Sequence, residues 1–113
     1  MLIRRDDVPG VAQPENALTL RALAPSHVTG GELSLTWVAL AGRHRRLRTR
    51  RSTRLYYVLD GSAQFVLGDG QLLDAHAGDI VVIPRDTPYE LAGELTYLVI
   101  NAPGYVEGDD EYD

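Results

Sequence analysis

Apolar residues along this chain come in short alternating runs, and each run ends at a turn signal. Residues 17–23 (ALTLRAL) alternate loosely. After Gly30-Gly31, residues 32–40 (ELSLTWVAL) put Leu33, Leu35, Trp37 and Ala39 on one face of a strand. Residues 45–51 predict a further strand. Residues 55–59 (LYYVL) stop at Asp60-Gly61, a dipeptide that favours tight hairpins, and residues 63–67 (AQFVL) stop at Gly68-Asp69-Gly70. Segments 71–75, 79–83 (ended by Pro84), 89–91 and 95–101 complete the series. No segment keeps a helical period for more than a turn or two. Gly and Pro recur at roughly the 8–12-residue spacing of sandwiches and barrels. The pattern predicts an all-β fold. Residues 1–16, with Pro9 and Pro14, read as an arm that wraps the barrel or pairs at its edge. Residues 107–113 (EGDDEYD) read as a frayed, solvated acidic tail.

Composition narrows the classes. The 113 residues fit one domain, 1–113, and the 44% hydrophobic and 24% charged content is that of a globular chain. With no Cys, disulfides, thiolate metal sites and thiol nucleophiles are excluded. No run approaches the roughly 18 apolar residues of a membrane span, and MLIRRDDVPG lacks the apolar region of a signal peptide, so a cytoplasmic protein is the default. The net charge of −5 disfavours nucleic acid as a partner. All eleven basic residues are Arg, and seven of them lie between Arg43 and Arg54. An Arg-rich coding bias accounts for the absence of Lys but not for the clustering. The run GRHRRLRTRR lacks the interleaved aromatics of an RNA-binding segment. Phosphate loops, dinucleotide fingerprints and nucleophile elbows are absent.

In the central stretch Gly42 is followed by RHRRL, Arg48-Thr49-Arg50, RST, Arg54, LYYVLD and Gly61, and Gly78 is followed by DIVVI, Pro84-Arg85-Asp86, TP, Tyr89, ELA and Gly93. In these spacings the stretch resembles the cupin superfamily. The family's first motif is G, five residues, H-x-H, three or four residues, E, six residues, G, and its second is G, five residues, P-x-G, two residues, H, three residues, N. The resemblance covers about residues 32–103 and implies a cupin-type jelly-roll β-barrel. It also implies that the metal ligands of the family fall at Arg48, Arg50, Arg54 and Tyr89. A guanidinium stays protonated and does not ligate metal. No metal or other cofactor is therefore expected, nor the dioxygenase chemistry that depends on one. A metal site shifted to His44 and His76 is the competing reading.

By the same analogy Arg48 and Arg50, two apart on a strand, line the barrel interior, with Arg54, Tyr56 and Val58 beside them and Tyr89 opposite. Unpaired guanidiniums in one desolvated pocket repel, so an internal carboxylate or a bound anion must compensate. The alternative is that these Arg lie at the mouth or outside, paired with surface acids, as is expected of Arg43, Arg45, Arg46 and Arg51. Tyr57, His44 and Gln64 are further candidates for the pocket, and Trp37, Phe65, Leu67, Val82 and Tyr97 for core or pocket wall. Positive neighbours are expected to lower a tyrosine's pKa.

The resulting expectation is a metal-independent enzyme acting on an anionic or carbonyl-bearing small molecule by proton transfer: isomerisation, epimerisation, cyclisation or dehydration. Arg48, Arg50, Arg54, Tyr56, Gln64 and Trp37 bind substrate, and Tyr89 or His44 moves a proton. Arg50→Ala is expected to weaken binding more than Arg43→Ala. The competing class is a non-catalytic small-molecule-binding module or dimeric scaffold. Edge-strand logic and the family resemblance predict a homodimer.

Overall fold

The runs read from the sequence form strands in the computed structural model, which describes residues 1–113, and several of them join. β1 is Val11–Gln13 and β2 Leu18–Ala24. β3 runs Ser34–Thr49 and β4 Thr53–Leu67. β5 is Gln71–His76, β6 Ile80–Ile83, β7 Tyr89–Ala102 and β8 Asp110–Tyr112. All pairings are antiparallel, in the order β1-β2-β3-β7-β4-β5, with β6 also on β4 and β8 on β3. The three long strands carry the barrel: β7 lies between β3 and β4 and pairs with both. The packed interior is centred on Val58, Phe65, Leu91, Tyr89 and Tyr97, each at most 1% exposed.

Asp60-Gly61 is not a hairpin. β4 continues through it because β7 pairs on both sides, Val58 opposite Tyr97 and Asp60 opposite Thr96. The uneven count leaves one extra residue on β4, a bulge that bends the strand without ending it. Gly61 follows at φ 80°, and a Cβ there would lie 2.1 Å from the Glu94 carbonyl oxygen, so only glycine fits. The second predicted turn, at 68–70, does close a hairpin, between β4 and β5.

A second bulge lies in β3. His44 pairs with Leu91 and Leu47 with Tyr89, so three steps on β3 match two on β7. Side chains alternate along a strand, and each extra residue reverses which parity points inward. On β3 the inward set is Ser34, Val38, Leu40 and His44 before the bulge, and Leu47 and Thr49 after it. On β4 it is Arg54, Tyr56 and Val58 before the bulge, and Ala63, Phe65 and Leu67 after it.

The inward parity of β3 corrects the expectation that Trp37 belongs to the core or pocket wall. Leu33, Leu35, Trp37 and Ala39 are on the outer side. Trp37 is sheltered there by the arm, with the guanidiniums of Arg5 and Arg21 at 5.5 and 5.7 Å from its ring centre. The arm pairs at the edge of the sheet, β1 on β2, and Arg21 Nη1 donates to the Val8 carbonyl at 2.8 Å. Val82 is likewise outside, 53% exposed on β6. The tail is not frayed. β8 docks on the end of β3, Leu47 opposite Tyr112 and Thr49 opposite Asp110. No helix is long and apolar enough to cross a membrane.

Candidate functional site

One end of the barrel opens into a cavity of about 400 Å³, within the size range of small-molecule sites. Its apolar wall comes from β2 and β3, with Leu18, Leu20 and Val38. Its polar wall comes from β3, β4, β7 and β8, with His44, Arg54, Tyr56, Asn101, Asp110 and Tyr112.

Arg54 is the hub of the polar wall and is 5% exposed. Its Nε donates to Asn101 Oδ1 at 2.7 Å, Nη1 to the Tyr89 hydroxyl at 2.8 Å, and Nη2 to Asp110 Oδ1 at 2.9 Å. Thr49 Oγ1 donates to the same Asp110 oxygen at 2.7 Å. Burial disfavours the Arg54 charge, but the oxygens of Tyr89 and Tyr56 and the Asp110 carboxylate outweigh it and hold the guanidinium protonated. The Tyr56 and Tyr89 hydroxyls are 2.6 Å apart. Burial, then the neighbouring Tyr89, pushes the Tyr56 phenol well above its ordinary pKa, and burial does the same for Tyr97. This reverses the expected lowering. A single Arg faces these rings, and it is matched by a carboxylate, so desolvation dominates.

His44 sits where β3 bulges. Its Nδ1 lies 2.8 Å from the Arg45 carbonyl, which can only accept, so Nδ1 carries the proton. Nε2 is then an unprotonated acceptor on the cavity wall. Burial, the largest influence, lowers the His44 pKa below 6.5 and keeps the ring neutral. The ring stacks with Tyr112 at 6.2 Å. Tyr112 is covered in turn by the Arg45 guanidinium at 4.1 Å. Asn16, fully buried, accepts from Arg45 Nε at 3.0 Å and fixes that corner.

Of the residues singled out from sequence, Arg54, Tyr56 and His44 reach the cavity together. Tyr89 points inward but is sealed at 0% exposure behind Arg54 and Tyr56, so it touches the cavity only through them. Arg48 and Arg50 do not enter the barrel, because the β3 bulge turns them outward. Arg50 meets Glu111 at 2.8 Å, and Arg48 meets Glu111 at 3.5 Å and Asp86 at 3.7 Å. Gln64 is turned out by the β4 bulge and bonds Asp74 on the surface. Trp37 is outside, as described. Arg43, Arg46 and Arg51 pair with Glu90, with Glu90 and Asp113, and with Asp109.

Sequence reasoning missed Asp110, Asn101, Tyr112 and Asn16. Asn101 was legible in principle: it shares strand parity with Tyr89 and Tyr97, and a polar side chain there marks an interior polar wall. Asp110 lay in a segment whose composition resembles a disordered tail.

The cupin metal does not fit this wall. Two of the family's ligand positions are the outward Arg48 and Arg50, and a third is the guanidinium of Arg54, which already holds Asp110. No cluster of three His, Cys, Asp or Glu residues capable of holding a metal occurs in the chain. His76 is exposed in its turn beside Asp79 and does not share the cavity of His44.

The architecture is that of the cupins: a small antiparallel β-barrel with a site at its open end. Solved structures bear this out. Pac13, described as a unique nucleoside dehydratase, matches at 18% identity with a TM-score of 0.87, over 100% of this chain and 90% of that one. Variants of the Streptomyces protein are known with uridine. A protein from Planctomyces limnophilus matches at 21% identity and TM-score 0.86, over 99% and 96% of the two chains. KdgF from Halomonas sp. matches at 16% identity and TM-score 0.79, over 91% and 93%. No protein-family model matches the sequence, and a search of curated proteins finds no match. The chain therefore has the fold of a small cupin, with Arg48, Arg50, Arg54 and Tyr89 at the positions that the motif resemblance assigns to metal ligands.

Proposed function

We propose that this cupin is a metal-independent enzyme that moves a proton on a carbonyl-bearing small molecule bound in the barrel. The observation that carries this reading is His44: a neutral imidazole with Nδ1–H committed to a backbone carbonyl and Nε2 free on the cavity wall. That is the arrangement of a general base. In this reading Nε2 takes a proton from a carbon next to the carbonyl. Arg54, with three of its five N–H groups committed, has donors left for the carbonyl oxygen, where charge develops. Tyr56 stays a phenol and serves as acid. Tyr89 accepts from Arg54 and donates to the Tyr56 oxygen, which turns the Tyr56 proton toward the ligand. Tyr89 is thus a positioning residue rather than the acid or base.

Returning the proton to a different face or carbon gives epimerisation or isomerisation. If a hydroxyl lies β to the carbonyl, its C–O bond breaks as the C=C bond forms. It leaves as water with the Tyr56 proton, and the proton on His44 returns to Tyr56 through solvent. The fold likeness to a nucleoside dehydratase supports dehydration as the form to test first. Cytoplasmic location goes with this reading. Incubating the protein in D₂O with carbonyl-bearing sugars and nucleosides, and following C–H exchange and alkene protons by NMR, tests it. Exchange that is lost in His44→Gln supports the enzyme. Saturable binding without exchange would instead favour a non-catalytic binding module.

A homodimer is part of the proposal. On the outer face Val82, Leu55, Ile100 and Leu35 are successive cross-strand partners, and so are Ile80, Tyr57, Leu98 and Trp37. Two unbroken apolar rows across four strands are the kind of surface that pairs with a second copy.

A further inference from the structure

The arginine cluster and the acidic C-terminus are two halves of one device. Along 109–113 each residue meets an arginine of β3 or of the β3–β4 turn and early β4. Asp109 takes Arg51 at 2.9 Å through both oxygens, Asp110 takes Arg54 at 2.9 Å, and Glu111 takes Arg50 at 2.8 Å. Tyr112 lies under Arg45, and Asp113 reaches Arg46 at 3.3 Å. This ladder sets β8 in register on β3, and the register delivers one carboxylate, Asp110, through the cavity wall.

The cavity would otherwise be an anion receptor. Its only buried cation is Arg54, whose planar fork suits phosphate and carboxylate. Asp110 neutralises that charge. Both of its intramolecular hydrogen bonds, from Thr49 and from Arg54, fall on Oδ1. Oδ2 makes none within the protein. A free carboxylate oxygen accepts from a ligand hydroxyl and repels an anion. The other charged groups at the cavity do not alter this balance. Glu15 is a second acid at the rim, and Arg45 is committed to Asn16 and Tyr112.

We propose that Asp110, carried in by the C-terminal strand, determines the ligand class: the site takes uncharged, hydroxyl-bearing molecules and excludes anions. This rests on the cavity being the ligand site but not on any catalytic step. The probe is inorganic phosphate, with calorimetric titration at fixed ionic strength on wild type, Asp110→Asn, and the neutral pair Arg54→Gln with Asp110→Asn. Asp110→Asn is expected to bind phosphate at least about tenfold tighter than wild type, and the double variant to return to the wild-type level. If Asp110→Asn does not fold by itself, phosphate is expected to restore its fold by mass action while leaving the double variant's melting temperature unchanged. The proposal is overturned if wild type already binds phosphate through Arg54. It is also overturned if Asp110→Asn neither binds phosphate nor is refolded by it while the double variant is folded. Failure of the enzyme reading shows separately, as the absence of C–H exchange, and leaves the phosphate result standing.

Discussion

At the residue scale, charge at this site is decided by partners rather than by numbers. Seven arginines crowd residues 43–54, yet only Arg54 is buried, because only Arg54 has a carboxylate, an amide and a phenol arranged around its fork. Arg50 and Arg43 lie on the surface, where an ion pair contributes at most about 1 kcal/mol. Replacing either with Ala is therefore expected to leave ligand affinity unchanged and to alter stability by less than about 1 kcal/mol, measured by titration and urea unfolding. This replaces the sequence-based expectation of a larger effect at Arg50. Tyr89→Phe removes the acceptor of Arg54 Nη1 and the partner of Tyr56. Leaving buried donors unpaired costs about 1–3 kcal/mol of stability, readable in the same unfolding curves. His44→Gln is expected to lower turnover by about 10²–10⁴-fold with little change in melting temperature. The pH dependence has a definite sign. The unfolded chain takes up a proton on His44 near 6.5, whereas burial holds the folded pKa below that. Stability from this group is complete above about 6.5 and is lost as pH falls from there through the folded value. Activity that depends on the neutral ring has its acid limb at that same lowered pKa.

At the element scale, two single-residue bulges do most of the positioning. The one in β3 follows His44, which keeps the inward parity of Val38 and Leu40, and sends Arg48 and Arg50 outward, and the one in β4 turns Gln64 out while Arg54 and Tyr56 point in. Gly61 makes the β4 bulge possible, since any side chain meets the Glu94 carbonyl. Gly61→Val is expected to cost more than about 2 kcal/mol or to prevent folding, as judged by expression and thermal melting. The docking of β8 has its own pH signature. Hydrogen bonding to Arg51 and to Arg50 holds the Asp109 and Glu111 carboxyls below their ordinary values. The stability they contribute is present above the ordinary carboxylate range and is lost as pH falls through the lowered values. Protection of the Asp110–Tyr112 amides, measured relative to the intrinsic exchange rate at each pH, is expected to fall in acid, and in high salt at neutral pH, before the barrel itself opens.

At the scale of the whole molecule, the barrel separates two surfaces of different chemistry. The polar interior end holds the candidate site, and the outer face of β3, β4, β6 and β7 carries the two apolar rows. Ile80 and Val82 are 60% and 53% exposed there, and Tyr57 is 43% exposed. A sizing column or analytical ultracentrifugation is expected to show a dimer, and Tyr57→Glu with Val82→Glu to convert it to a folded monomer. A wild-type monomer at micromolar concentration would remove the pairing proposal while leaving the site intact.

The sequence alone determined the β architecture and the cupin resemblance. Alternation, Gly–Pro punctuation and motif spacing are local properties, and they survive into the fold. It also determined that Arg54 and Tyr56 share a face, because no bulge separates them. For the arm the sequence left two placements open, wrapping the barrel or pairing at its edge, and β1 takes the second. What only the tertiary structure decided was parity beyond each bulge, and with it the fate of Arg48, Arg50 and Gln64. A bulge is one residue's difference between two strands far apart in sequence, and neither strand records it alone. The acidic tail was the other such case. EGDDEYD has the composition of a solvated end and too few apolar residues to predict a strand. It is ordered because a ladder of arginines some sixty residues away meets it, and that long-range charge match is what completes the site.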